Sequence, residues 1–150
     1  MSHFHSFMSA ARMHVAQAIL SIPIANLSVS MVAVVAISGS TGFWVHVGHN
    51  LDGDAPHMQS DWVPCNARGD PVAVTRWSNG YWTFHKPGSH ATVYFHRQVV
   101  IDVVRGGQAL PADIEIHHKD EDPNNNIVAN LSMITKTAHR ILTGAARGRR

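Results

Sequence analysis

Residues 114–142 constrain this chain most. The stretch opens on a short strand-like run ending in paired histidines, His117 and His118. An acidic loop with three asparagines follows, then Asn130-Leu131, and then Thr135 before a run that carries His139. Counted from His118, the order His, Asn, His is spaced by 12 and then 9 residues. Neighbouring side chains of a strand point to opposite faces, so His117 and His118 cannot easily do the same job. One suits a cation and the other a water. A neutral imidazole, with an ordinary pKa of ~6.5, is well matched to taking a proton near neutral pH. Thr135 is a good helix cap, which puts His139 at the fourth helical position. The positive dipole end there disfavours imidazolium and so favours a neutral, metal-competent ring. Ile134, Ala138, Ile141, Leu142 and Ala145 fall within ~100° of arc on that helix. Lys136, Arg140 and Arg147 share the far face, so the helix is predicted to pack one side on strands and offer the other to phosphates.

With 150 residues the chain suits one domain with a real core. Its formal charge of +2 is unevenly spread. Residues 1–75 carry Arg12 and Arg68 against Asp52, Asp54, Asp61 and Asp70, a balance of −2. Residues 76–150 hold ten Lys and Arg against six Asp and Glu, a balance of +4, and residues 136–150 hold five cations and no carboxylate. A basic half beside an acidic one points to a polyanionic partner. One cysteine, Cys65, excludes an internal disulfide and a CxxC zinc knuckle, and it is compatible with a reducing, intracellular setting.

Along the chain, residues 1–14 show no clear period. Residues 15–37 hold 23 positions without a charge, long enough to span a bilayer, with Arg12 just ahead as in an export signal. Gln17, Pro23, Asn26 and the serines dilute that stretch, so it reads as buried structure or a leader, without membrane association. Residues 39–71 read as loop-rich, and His46, His49 and His57 among their turn signals do not form a regular metal pattern. From residue 71 the pattern sharpens. Residues 72–77 read as a strand, Asn79-Gly80 as a hairpin turn, 81–85 as the returning strand, and 90–96 as a third strand after Lys86-Pro87-Gly88-Ser89. Residues 98–104 are rich in Val and Ile and read as strand by propensity, up to the break at Gly106-Gly107 and Pro111.

His117, His118, Asp120, Asn125, Asn126, Asn130, Leu131, Thr135 and His139 together match the pattern HHxDxxxxNNxxxNLxxxTxxxH, and the chain thereby resembles the HNH endonuclease family in its phage and homing-type branch. The resemblance covers roughly residues 77–142. It implies that a strand ends in His96-Arg97 and that 98–104 is a helix. It implies an α+β fold, a β-meander and helix followed by a ββα-metal motif. The division expected is an N-terminal region 1–70, a nuclease domain 71–146 and a basic tail 147–150. It further implies that His117 and His139 bind one divalent metal, Mg²⁺ or Mn²⁺ in the first place with Zn²⁺ or Ni²⁺ open, and that the catalytic pair is His118 as general base with Asn130 tying the loop to the strands. Asn125 and Asn126 would shape that loop, while Asp120 fits as an acceptor that orients an imidazole. Turn chemistry alone would also place Asn and Asp there. The chain departs from the family where relatives have glycine after Asp120, since Glu121 stands there. Ala138 replaces the usual Glu or Gln before the last histidine, and Thr143 leaves no third histidine one turn on.

The expected reaction is hydrolysis of phosphodiester bonds in double-stranded DNA, with Arg97, Lys136, Arg140 and Arg147 as candidate phosphate contacts and no evident protein partner. If about five cations meet phosphates, log affinity should fall with log salt at a slope of roughly −4 to −5, and a flat titration would remove them from the interface. The alternative is a DNA-binding module of the same fold without catalysis.

Overall fold

Three antiparallel sheets and two helices make up the described residues of this computed structural model, 33–48 and 58–148, the last four by backbone only. The fold is α+β. The first sheet has the order β1-β2-β3, from Val34–Ala36, Phe43–His46 and Trp62–Cys65. Two of its strands lie inside the stretch that reads as loop-rich. Each spans four residues, FWVH and WVPC, and nearly every one is buried or half-buried. Strands covered on both faces show no alternation, and runs this short do not stand out among glycines, aspartates and prolines. Pro64 is tolerated because β3 is the outer strand of this sheet.

The expected meander forms the second sheet, β4 (Val74–Arg76), β5 (Trp82–His85) and β6 (Thr92–Tyr94), in that order. The turn after β4 is closed by Gly80 N–H donating to the Trp77 carbonyl at 2.9 Å, with Gly80 at φ +91°. A helix, α1 (Phe95–Val99), follows at once and continues as a π-helical turn over Val100–Val104. Helix therefore prevails over the β propensity of Val99, Val100, Ile101, Val103 and Val104. Phe95, Val99 and Val100 are all buried with Gln98 and Asp102, and Gln98 Nε2 donates to Asp102 Oδ2 four residues on at 3.0 Å. Tertiary burial overrides local preference.

One core cluster draws on all three sheets and α1, from Ile37, Trp44 and Trp62 through Val74, Phe84 and Phe95 to Ile116 and Leu131. The Trp44 ring meets Phe84 and Phe95 edge-on, with centroids 5.4 and 5.1 Å away. The core thus crosses position 71. The apolar stretch 15–37 ends in β1 and in the buried Ile37, while residues 1–32 lie outside the described residues. Among those described, no helix is long and apolar enough to cross a membrane. His49 and His57 also lie outside them.

The third unit is β7 (Ile114–His118) paired antiparallel with β8 (Leu131–Thr135), with a 3₁₀ turn at Val128–Asn130, and then α2 (Lys136–Gly148). The cap works as the sequence suggests, with Ala138 N–H donating to Thr135 Oγ1 at 3.0 Å. The apolar face of α2 does not pack as predicted. Ala138 and His139 are half-buried at its start, but Ile141 and Leu142 are 65% and 48% exposed. The helix docks by its first turn and leaves the sheet beyond it.

Candidate active site

Strand alternation divides the histidine pair. Ile116 and His118 are buried, whereas Glu115 and His117 are half-buried on the face that α2 covers. There His139 Nδ1–H donates to Glu115 Oε2 at 2.6 Å, because a carboxylate can only accept. In the neutral ring that bond leaves the lone pair on Nε2. The His117 ring meets the His139 ring edge-on at 5.3 Å. The structure therefore brings His117 and His139 together and keeps His118 behind the strand.

On the other face His118 is 5% exposed. Its Nε2–H donates to Asn126 Oδ1 at 2.8 Å, which leaves Nδ1 as the basic nitrogen. Asn126 is itself buried, and its Nδ2 has no hydrogen-bond acceptor among the described residues. Burial pushes the His118 pKa below its ordinary value, and outweighs the Asn126 bond and the Asp120 and Asp122 charges, which pull the other way. His96, at the start of α1, lies 5.0 Å from His118 between ring centroids and stacks on Tyr81 at 5.0 Å and 24°. Burial first, then His118 and Arg97, lower its pKa to about 3.

These two downward shifts carry a stability consequence. Between pH 6.5 and about 3 the unfolded chain binds a proton at His96 that the folded one refuses, so stability is present above 6.5 and lost as pH falls. We expect a loss of about 2 kcal/mol by pH 5 from His96 alone, and His118 acts in the same direction. Urea midpoints measured from pH 7 to pH 4.5 check this, and His96→Leu should flatten the slope. An equally steep slope in that variant would assign the effect elsewhere.

A cavity of about 210 Å³ is lined by Tyr81, Tyr94, His96 and Arg97 from the meander and α1, and by Glu115, Ile116 and His139 from the third unit, with His117 and His118 outside its lining. Of the four cations expected at phosphates, Arg97 reaches this cavity, and Lys136 and Arg140 are exposed on α2. Arg147 lies in α2, its side chain outside the described residues.

The loop between β7 and β8 is bolted by its own polar groups. Asn130 Nδ2 donates to Asp120 Oδ1 and to the Asn125 carbonyl, both at 2.9 Å, and Asn130 Oδ1 accepts the Asp120 N–H at 3.2 Å. Asn125 Nδ2 donates to Asp120 Oδ2 at 2.8 Å. Partial burial opposes ionisation of Asp120, but bonds from Asn125, the Asp122 backbone and Asn130 outweigh it and hold the carboxyl below its usual range. Asp120 thus serves the loop, and the imidazole-orienting role expected of it falls to Asn126 for His118 and to Glu115 for His139. Glu121, where relatives have glycine, sits at φ +61°, the left-handed conformation that glycine adopts without strain.

Three further contributors escape a reading of the motif. Glu115 precedes His117 by two residues, and on a strand that spacing alone puts both on one face. His96 and the tyrosines sit well before the motif, and only the fold joins them to it. The N-terminal part clamps the loop from outside. Gln59 N–H donates to the Asn124 carbonyl at 2.7 Å, and the Gln59 carbonyl accepts the Asn126 N–H at 2.8 Å. Asp61 Oδ1 accepts the Val128 N–H at 3.1 Å. No sequence signal marks these.

As a metal site, the donor set is two imidazoles, one fixed by a carboxylate through its second nitrogen, as metal-ligating histidines are. Among the described residues no group of three or more His, Cys, Asp or Glu side chains could hold an ion. The residues fit a two-histidine, open-sided site, and do not fit a closed cage of the structural zinc kind.

No protein-family profile matches the chain. No solved structure matches it. Over 66 residues, 44% of its length, the chain is 33% identical to the H-N-H endonuclease F-TflII of Escherichia phage T5. It spans about a third of that protein, 34% of its length. The match supports a distant relationship to an H-N-H endonuclease.

Proposed function

We propose that the protein is a metal-dependent endonuclease that hydrolyses phosphodiester bonds of double-stranded DNA. One observation carries the reading. A buried, neutral imidazole with a fixed tautomer, His118, directly adjoins in sequence a histidine that meets another imidazole across the strand. His118 Nδ1 takes a proton from water, the hydroxide oxygen attacks phosphorus, and the P–O3′ bond breaks with the electron pair leaving on O3′, which is then protonated. His117 and His139 would hold a divalent ion, which would supply neutralisation of the scissile phosphate and of the leaving oxygen. Glu115 holds His139 in the tautomer whose Nε2 can ligate. Asn126 holds His118 in the tautomer whose Nδ1 can accept. Asn130 and Asp120 keep the loop that carries Asn126 in place. Arg97 presents a cation at the cavity wall, and Lys136 and Arg140 extend positive charge along α2 for backbone contacts.

The test is conversion of supercoiled plasmid to open-circle or linear DNA with Mg²⁺, Mn²⁺, Zn²⁺, Ni²⁺ or EDTA. Metal-dependent nicking that EDTA abolishes is expected. DNA binding by folded protein without cleavage under any metal would replace this reading with a silent binding module, for which the two-histidine donor set and the strained Glu121 loop are the structural motive.

A further inference from the structure

The turn between β4 and β5 carries an aromatic residue with no buried role. Trp77 is 46% exposed, although the other three tryptophans are buried or half-buried. It does not stand alone. Its ring meets Tyr94 at 5.7 Å, Tyr94 meets Tyr81 at 5.8 Å, and Tyr81 stacks on His96. Asn79 Nδ2 donates to the Tyr94 hydroxyl at 3.0 Å and so fixes the middle ring from within the same turn. The ladder runs from solvent at Trp77 to the cavity that Tyr81, Tyr94 and Arg97 line. A side-chain carbon added at Gly80 would lie 3.9 Å from an Arg76 guanidinium nitrogen and 3.6 Å from Pro123. A cation therefore stands at the turn, and the turn abuts the β7–β8 loop. Trp82 Nε1–H donates to Asn124 Oδ1 at 3.0 Å and ties the strand to that loop.

We propose that Trp77 is a stacking platform for an unpaired DNA base next to the scissile phosphate, with Arg76 on the adjoining phosphate. The inference rests on the nuclease reading and names its substrate class, duplex DNA with a bulged or extruded nucleotide. In paired DNA both faces of each base are covered by neighbours, and an exposed indole finds no partner. An unpaired base offers a free π-face, and stacking on an aromatic side chain tolerates any base. Arg76 and Arg97, at the two ends of the ladder, match a polyanion, and an apolar protein partner would leave both cations without acceptors.

Fluorescence anisotropy in EDTA, so that nothing is cleaved, compares a paired duplex with the same duplex bearing one bulged base. Wild type, Trp77→Ala and Trp77→Phe are measured at one salt concentration. The wild type should prefer the bulged duplex. Trp77→Ala should weaken binding to it by roughly 5- to 100-fold, the range for losing one stacked base, and change paired-duplex binding less than twofold. Trp77→Phe should keep most of the preference. Equal losses on both substrates, or none on the bulged one, would overturn the platform while leaving the nuclease reading intact. Failure of the folded wild type to bind either DNA or to nick plasmid with any metal would overturn both. Because Trp77 is half exposed, the alanine variant is expected to melt with the wild type, which a thermal scan verifies.

Discussion

His118→Ala is expected to lower metal-dependent cleavage by about 10²- to 10⁴-fold, the usual share of a positioned general base, and to change DNA affinity little. The size follows from the ring's surroundings. His118 is almost wholly buried, neutral near pH 7, and held through Nε2–H by Asn126. Neither neighbouring imidazole, His117 or His96, is placed to take over. His117 points to the far side of β7, and His96, although near, has a pKa of about 3 and is too weak a base. Single-turnover nicking at saturating enzyme measures the chemical step apart from binding. The alanine variant also loses a buried ring, so its urea midpoint must be read beside its rate at a temperature where it stays folded. A folded variant that cleaves within threefold of wild type would remove His118 from the chemistry, and attention would turn to the Glu115–His139 pair. Loss of DNA binding in step with loss of rate would instead mark His118 as a packing residue.

The part of the molecule legible in the sequence is the part whose physics is local. The Thr135 cap is one hydrogen bond between residues three apart, and the hairpin at Asn79-Gly80 needs only a glycine at positive φ. The facing of His117 and His139 follows from strand alternation and helix spacing. What fails is whatever depends on partners far along the chain. Asp120 follows the histidine pair by two residues, yet three loop donors claim it. The side chains that meet imidazoles are Asn126 and Glu115. Strands β2 and β3 stay hidden because they are covered on both faces and carry no alternation. The β-branched run after His96 misleads for the opposite reason, since its local preference is real and burial overrules it. The end of α2 shows the limit of amphipathic patterning. Ile141 and Leu142 belong to a well-formed apolar stripe, yet both are exposed, since pattern alone does not say which part of a stripe meets a partner.

Asp102→Ala is expected to destabilise the fold by about 3–5 kcal/mol, a large part of the 5–15 kcal/mol typical of a domain. The Asp102 side chain, 1% exposed in the π-helical turn after α1, accepts three hydrogen bonds. Trp44 Nε1–H reaches it at 2.9 Å, Gln98 Nε2 at 3.0 Å and the Ser38 N–H at 3.1 Å. Alanine removes all three acceptor contacts at once. Gln98 keeps a partner in Ser38 Oγ at 3.1 Å, but the indole of fully buried Trp44 and the Ser38 amide lose theirs, and each stranded donor costs about 1–3 kcal/mol. Asp102→Asn keeps one carbonyl oxygen while placing an amide donor among donors, so it should fall between the two. Equilibrium urea unfolding decides the matter, and an alanine variant within 1 kcal/mol of wild type would show that water reaches these groups. The bonds also join parts far apart in sequence. Ser38 lies in the turn between β1 and β2, Trp44 lies in β2, and Asp102 lies in the π-helical turn that continues α1, the helix carrying His96 and Arg97. Loosening that tie frees the segment that walls one side of the cavity, so cleavage should fall in the alanine variant even where most molecules remain folded. The first sheet would thereby act on the proposed chemistry from a distance, by holding α1 where His96 packs on His118.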